Sequence, residues 1–185
     1  MTRIVSGTVG GRVLQVPRAG TRPTSERVRE ALFSRLEHLD VVDGARVLDL
    51  YAGSGALGIE AASRGAAHVT LVESGRDAAE VCRRNVTTLG LAATVTVAAE
   101  KAERFAARPA TAPWDLVLID PPYDLPEDGL AGVLAGVGAA LSAHAVVVVE
   151  RASRTPEPTW PPTLARLDRR AYGDTVMWFA ELAAS

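Results

Sequence analysis

The sequence predicts an α/β fold in which a mostly parallel, Rossmann-like sheet is closed by a terminal antiparallel hairpin. From Ala45 onward, short apolar runs alternate with alanine-rich stretches, which is the pattern of strands and crossover helices. A glycine-rich segment follows the first of these runs, where a loop that opens a helix is expected. The last two predicted strands are separated only by Gly173-Asp174, which predicts a tight hairpin.

The same patterns place the elements in chain order. Buried strands are predicted at 46–50, 68–73, 94–98, 114–120 and 145–150, and the closing hairpin at 164–172 and 175–182. Helices are predicted at 54–64, 77–89 and 130–141. Ahead of the sheet, short strands at 3–5 and 12–16 precede a helix over 24–39 with Thr24 or Ser25 as N-cap. We therefore divide the chain into an N-terminal hairpin and helix extension, 1–40, and a main domain, 41–185.

Composition excludes several classes of protein. With 185 residues and a net charge of −2, the chain has the length of one domain and lacks a long basic tail. It contains no apolar run of about 18 residues and no signal-peptide pattern, so we expect a cytoplasmic protein with no membrane partner. Its single cysteine, Cys82, can form neither an internal disulfide nor a metal cluster, and we expect no metal site.

Positive charge is concentrated in the extension. Seven arginines lie between Arg3 and Arg35, against two acids, Glu26 and Glu30. Such a local excess attracts phosphate backbones whatever the charge of the whole chain. The candidate RNA-binding residues are Arg3, Arg12, Arg22, Arg27 and Arg29. The alternative is a solvated helix face on which the two glutamates pair with neighbouring arginines.

The segment after the first predicted strand is a candidate cofactor loop. Residues 53–58 fit the pattern G-x-G-x-x-G, which suits a nicotinamide cofactor and S-adenosylmethionine alike. Glu73, at the end of the next strand, can bind ribose hydroxyls in either case. Asp49 would repel a pyrophosphate but attract the ammonium and sulfonium groups of S-adenosylmethionine, which favours the latter cofactor. Residues 100–105 can start a helix whose backbone N–H groups face an adenine ring, or be ordinary exposed charges.

The candidate catalytic residues are Asp120, Pro121, Pro122 and Tyr123, directly after a buried strand. Ligands of open α/β sheets bind outside the carboxyl ends of the strands. There the Asp120 carboxylate and the Pro121 carbonyl can accept the two N–H groups of a nucleobase amine, so that its lone pair faces a methyl donor. Tyr123 offers a ring for stacking an extruded base, worth about 1–3 kcal/mol. Taken as an ordinary aspartate with a pKa of about 3.9, Asp120 would align the amine and only later assist proton removal.

Five motifs together resemble one known family. They are Arg3-Ile4-Val5-Ser6-Gly7 with Gly11-Arg12, Arg22-Pro23-Thr24 with 27–33, the loop 49–55, Asp120-Pro121-Pro122-Tyr123, and Tyr172-Gly173-Asp174-Thr175. Along nearly its whole length the chain resembles the bacterial 16S ribosomal RNA guanine-N2 methyltransferases of the RsmD type. The resemblance implies a class I S-adenosylmethionine-dependent methyltransferase domain, with S-adenosylhomocysteine as product. It also implies that the acceptor is one guanosine of 16S ribosomal RNA in a partly assembled small subunit, engaged with the help of the extension.

The resemblance implies which residues of this chain bind the cofactor, because each matches a cofactor-binding position of the family. They are Asp49, Tyr51, Ala52, Gly53, Ser54, Gly55, Glu73, Ser74, Lys101, Ala102 and Asp120. Relatives often have a small polar or acidic residue where Lys101 stands, so a backbone contact is expected there.

Three alternatives stay open from the residues alone. The Asp120 motif serves adenine N6 as well as guanine N2, so an adenine-N6 methyltransferase on RNA or DNA fits it too. A non-catalytic RNA-binding assembly factor could retain the cofactor pocket. A nicotinamide-dependent oxidoreductase would use the glycine loop but has no obvious use for residues 120–123.

Overall fold

A computed structural model describes residues 2–17 and 25–184. In these residues the chain forms nine strands and five helices. In order they are β1 (Thr2–Arg3), β2 (Val13–Leu14), α1 (Glu26–His38), β3 (Arg46–Leu50), α2 (Ala56–Ser63), β4 (His68–Val72), α3 (Arg76–Thr88), β5 (Val95–Ala98), α4 (Ala102–Ala106), β6 (Trp114–Ile119), α5 (Glu127–Gly138), β7 (Leu141–Ala152), β8 (Leu164–Tyr172) and β9 (Thr175–Leu182). None of the helices in the described residues is both long and apolar enough to cross a membrane.

Seven of the strands form one sheet in the order β5-β4-β3-β6-β7-β9-β8. The five strands from β5 to β7 are parallel to one another, β9 is antiparallel to β7, and β8 is antiparallel to β9. The predicted Rossmann-like sheet with a terminal antiparallel hairpin is thereby confirmed. The register aligns Leu50 with Val72 and Ile119, and Ile119 with Val149, so the carboxyl ends of four strands meet at one edge.

The extension packs on the sheet through a common apolar core. Ile4, Leu14 and Phe33 are buried in the same cluster as Val47 of β3 and Ile59 of α2. The two short strands pair with each other, Thr2 opposite Leu14 and Arg3 opposite Val13. Apolar residues of the extension and of the sheet are therefore buried in one core on folding, which couples the stability of the two parts.

The bounds of some predicted elements were wrong. The helix predicted at 130–141 is α5, Glu127–Gly138, and it begins after Pro126 with acids in its first turn. Residue 141 instead starts β7, because Leu141 pairs with Trp114 and the Ser142 hydroxyl donates to Asp115 at 2.7 Å. The N-terminal strands are shorter than predicted, whereas β3, β8 and β9 have the predicted bounds.

The start of α1 distinguishes one of the two candidate caps. Ser25 is the N-cap, and its hydroxyl accepts the Val28 amide at 3.2 Å. This bond satisfies one of the amides that a helix start leaves without an intrahelical partner. The other candidate, Thr24, lies outside the described residues.

Candidate active site

A cleft of about 490 Å³ opens at the carboxyl edge of the parallel strands. Five carboxylates line it, and four of them, Asp49, Glu73, Asp120 and Glu150, lie at the ends of four different strands. Its lining residues are Val16, Pro17, Asp49, Tyr51, Ala52, Gly53, Ser54, Ala56, Leu57, Glu73, Ser74, Asp120, Pro121, Pro122, Tyr123, Asp124 and Glu150. This is the place where doubly wound α/β sheets bind ligands. Most of the predicted cofactor and catalytic residues thus surround one space.

Asp49 is the buried carboxylate at the floor of the cleft. Its Oδ2 accepts the Gly58 amide, in the first turns of α2, at 2.8 Å. Burial raises the pKa of Asp49 to about 7; the Gly58 hydrogen bond opposes the shift and the charge of Glu73 adds to it. A buried carboxyl group in this state attracts a cation, because a positive charge restores the ionised form.

Glu73 follows β4 and holds the cofactor loop. Its two oxygens accept the Gly53 amide at 2.8 Å and the Gly75 amide at 2.7 Å. Each carboxylate oxygen has a second lone pair, so hydroxyl donors from a ligand can still bind it. The ribose contact expected of Glu73 stays a prediction.

Tyr51 begins the loop in an uncommon backbone conformation. Its φ of 61° lies in the left-handed region, which bulky residues seldom adopt. Its hydroxyl donates to Glu103 of α4 at 2.8 Å, and burial raises the pKa of this phenol, as does the Glu103 carboxylate. This bond fixes α4 beside the cleft, although the predicted contact of that helix with an adenine ring remains untested.

Asp120 has an environment that the sequence did not indicate. It follows β6, and its amide donates to the Leu50 carbonyl at 3.4 Å. Burial raises the pKa of Asp120 well above its usual range, and the neighbouring carboxylates of Glu150 and Asp49 raise it further. The expectation of an ordinary aspartate pKa is therefore wrong, because the strand end lies out of water and among like charges.

The rest of the motif divides between buried and exposed positions. Pro121 is buried, whereas Pro122 and Tyr123 are exposed. The Tyr123 side chain is 78% exposed at the rim of the cleft, the highest value among the large apolar side chains of the described residues. An exposed aromatic ring beside a polar cleft can stack on a planar ligand.

Three predicted cofactor residues do not line the cleft. Gly55 caps α2 with a φ of 81°, and a Cβ there would approach Leu71 to 2.8 Å, so its role is to let the loop turn closely over β4. Lys101 caps the five-residue α4, and Ala102 is buried at its start. Their predicted contacts with the cofactor stay predictions.

Other residues of the cleft were missed by reasoning from the sequence. Val16 and Pro17 form part of its wall, and Val16 is 42% exposed. No sequence signal placed this segment against the cofactor loop. Glu150 could have been found, because it follows the apolar run 145–149 just as Asp120 follows 114–119.

Asn85 of α3 explains why the N-terminal segment reaches the cleft. Its Oδ1 accepts the Gln15 amide, and its Nδ2 donates to the carbonyls of Gln15 and Ser54, each at 2.9 Å. The side chain is buried. One amide thus joins the end of the hairpin to the cofactor loop and sets Val16 next to it.

Arg29, predicted to bind RNA, is instead part of the interior. It has no exposed surface, its Nε lies 3.3 Å from the buried Glu60 carboxylate, and its Nη2 donates to the Arg3 carbonyl. Burial lowers its pKa, and Glu60 opposes that shift. An arginine enclosed in this way cannot reach a phosphate, so the prediction for Arg29 is wrong.

The other candidate arginines differ in setting. Arg3, Arg12 and Arg27 are exposed, and Arg3 pairs with Glu26 at 3.2 Å. Arg22 lies outside the described residues. The other glutamate considered as a helix-face partner, Glu30, pairs with Arg64, the C-cap residue of α2, at 2.6 Å. The exposed basic surface of the extension is therefore smaller than the arginine count indicates.

The fold and the cleft together define a Rossmann-like domain of the methyltransferase type. Over residues 2–181 the chain matches the family described as Conserved hypothetical protein 95. The chain belongs to this family, and the resemblance to RsmD-type proteins is thereby confirmed at the level of the family. Among the described residues, no three His, Cys, Asp or Glu side chains are grouped so as to hold a metal ion.

Individual relatives agree with this assignment. The chain is 44% identical over 122 residues to ribosomal RNA small subunit methyltransferase D of Escherichia coli K12, and 37% identical over 124 residues to the protein of that name from Haemophilus influenzae. These matches cover 65% of this chain and 60% and 63% of the relatives, so less than two thirds of each curated relative is spanned. The solved structure of Escherichia coli yhhF, provisionally described as a methyltransferase, is 32% identical, with a TM-score of 0.87 over 99% of this chain and 98% of that one.

Proposed function

We propose that this protein transfers a methyl group from S-adenosylmethionine to the exocyclic N2 amino group of a guanosine in 16S ribosomal RNA during small-subunit assembly. The observation that carries the proposal is that Asp120 and Tyr123 share one cleft with Asp49 and Glu73. A cleft of this kind suits a nucleoside cofactor beside an extruded base. The relatives named ribosomal RNA small subunit methyltransferase D support a ribosomal RNA acceptor.

The residues of the cleft suit S-adenosylmethionine, which supplies an electrophilic methyl group carried on a sulfonium cation. Asp49 would hold the cationic end, since a buried carboxylate close to a positive charge regains its ionised form. Glu73 would bind the ribose hydroxyls through the lone pairs that Gly53 and Gly75 leave unused. The glycine loop lets the backbone approach the ligand closely.

Asp120, Pro121 and Tyr123 would position the base. The Asp120 carboxylate and the Pro121 carbonyl accept the two N–H groups of the amine and turn its lone pair toward the donor. Tyr123 stacks on the ring. Transfer leaves a positive charge on nitrogen, and Asp120, with its raised pKa, accepts the released proton more readily than an ordinary aspartate would.

The exposed arginines Arg3, Arg12 and Arg27 would contact the phosphate backbone beside this site. The partner proposed for them is 16S ribosomal RNA in a partly assembled small subunit. Because that particle assembles in the bacterial cytoplasm, we place the protein there as well.

The test uses small subunits from a strain that lacks the modification, labelled S-adenosylmethionine and a nucleoside digest of the product. Wild-type protein should yield N2-methylguanosine, and Asp120→Ala should reduce the rate at least about a hundredfold, the lower range of one positioned catalytic group. Asp128→Ala, an exposed acid on α5, is the matched control. Label in N6-methyladenosine would favour the adenine alternative, and cofactor binding without turnover on any subunit would favour an assembly factor.

A further inference from the structure

Glu150 and Asp120 occupy equivalent positions on neighbouring parallel strands. Ile119 of β6 pairs with Val149 of β7, so the next residue on each strand is one of these acids. Ile119 and Val149 pack in the same apolar cluster. A strand spacing of about 4.8 Å sets the two acids side by side at this edge of the sheet.

The two acids also line the same spaces. Both belong to the main cleft, and both border a smaller cavity of about 20 Å³, together with Tyr123 and Thr175. Burial raises the pKa of Asp120 most, and among the neighbouring charges the Glu150 carboxylate raises it more than Asp49 does. A ligand edge that donates to both carboxylates would relieve this repulsion.

Guanine and adenine differ at the atom beside the reacting amine. In guanine the N2 amine adjoins N1–H, so two donors lie side by side, whereas in adenine the N6 amine adjoins the N1 lone pair. Resting on the function proposed above, we propose that the Glu150 carboxylate accepts the N1–H of the target guanine and selects guanine over adenine. A carboxylate facing the adenine N1 would oppose two acceptors, and a desolvated acceptor without a donor is costly.

The decisive substrate is a small subunit reconstituted with 2-aminopurine at the target nucleotide. This base keeps the amine on C2 but has a lone pair at N1. The measured quantity is the ratio of kcat/KM for guanine to kcat/KM for 2-aminopurine. The two amines differ in intrinsic reactivity, but this difference is the same for every variant and therefore cancels when the ratios of two variants are compared. In Glu150→Gln the side-chain NH₂ can donate to the 2-aminopurine N1, and we expect the ratio to fall at least about tenfold, as for loss of a charge-assisted hydrogen bond.

Glu181→Gln, the same change at an exposed position on β9, should leave the ratio at the wild-type value. An unchanged ratio in Glu150→Gln would overturn the assignment, as would an equal loss on both bases at normal cofactor affinity. If Glu150→Gln does not fold, Glu150→Asp, which keeps the charge but withdraws the oxygens, replaces it: its ratio should also fall, and an unchanged ratio would again overturn the assignment. Failure of the proposed function would look different, since the wild-type protein would then methylate no guanosine.

Discussion

The buried Glu60 carboxylate holds the extension on α2, and replacing it should destabilise the whole protein. Its oxygens accept the Val5 and Ser6 amides at 2.8 and 3.0 Å, and face Arg64 at 2.8 Å and Arg29 at 3.3 Å. In Glu60→Gln an NH₂ group would point at two of these donors, and Arg29, without exposed surface, would lose its counter-charge. Removing one partner of a buried ion pair costs about 3–5 kcal/mol.

We therefore expect the free energy of unfolding of Glu60→Gln to fall by about 3–5 kcal/mol in urea titrations. Its Tm should fall by about 6–20 °C in calorimetry, at about 2–4 °C per kcal/mol for a chain of this size. Glu37→Gln removes the same charge from a partner of Arg64 that is 49% exposed, and should cost about 1 kcal/mol or less. A loss below about 1 kcal/mol for Glu60→Gln would refute the view that this carboxylate compensates a buried charge.

Three further predictions concern the cleft and its supports. In calorimetric titrations the affinity for S-adenosylmethionine should decline as the pH falls through about 7, because the cationic end of the cofactor requires ionised Asp49. Asp49→Asn should bind the cofactor weakly and without this pH dependence. A parallel decline in the wild type and in Asp49→Asn would contradict the role assigned to Asp49. Gly58→Ala should lose about 1–3 kcal/mol of stability, because its Cβ would lie 2.3 Å from Leu71. Gly132→Ala, which has open space on α5, should gain up to about 1 kcal/mol. Equal changes of the free energy of unfolding in urea titrations would contradict the steric argument. Asn85→Ala should lose about 1–3 kcal/mol and also weaken cofactor binding, and a stability loss at unchanged affinity would separate that residue from the loop.

The sequence predicted most of the sheet because strand ends carry local signals. The short run 46–50 ahead of the glycine-rich loop, and the Gly173-Asp174 turn between the last two strands, placed β3, β8 and β9 at their observed bounds. The same logic brought Asp49, Glu73 and Asp120 to one edge, since parallel strands share their carboxyl ends. These predictions need only the periodicity of the chain.

What the sequence could not show depends on distant partners. The count of arginines made Arg29 a candidate for RNA binding, but Arg29 is buried beside its counter-charge Glu60, 31 residues away and in another helix. The raised pKa of Asp120 likewise depends on burial and on Glu150, which is adjacent only through strand pairing. The role and the pKa of a charged residue can therefore be predicted only when its neighbours in the fold are known.

The N-terminal extension, which bears the exposed arginines, also lines the cleft proposed to bind the methyl donor. Asn85 binds both backbone groups of Gln15 and the carbonyl of Ser54, and the next residues after Gln15 line the cleft. A displacement of the segment around Gln15 must therefore either break the buried hydrogen bonds of Asn85 or move the cofactor loop with it. Coupling of this kind is reciprocal in free energy. The division at residue 40 thus separates two proposed tasks, RNA engagement and methyl transfer, that share one core and one wall of the cleft.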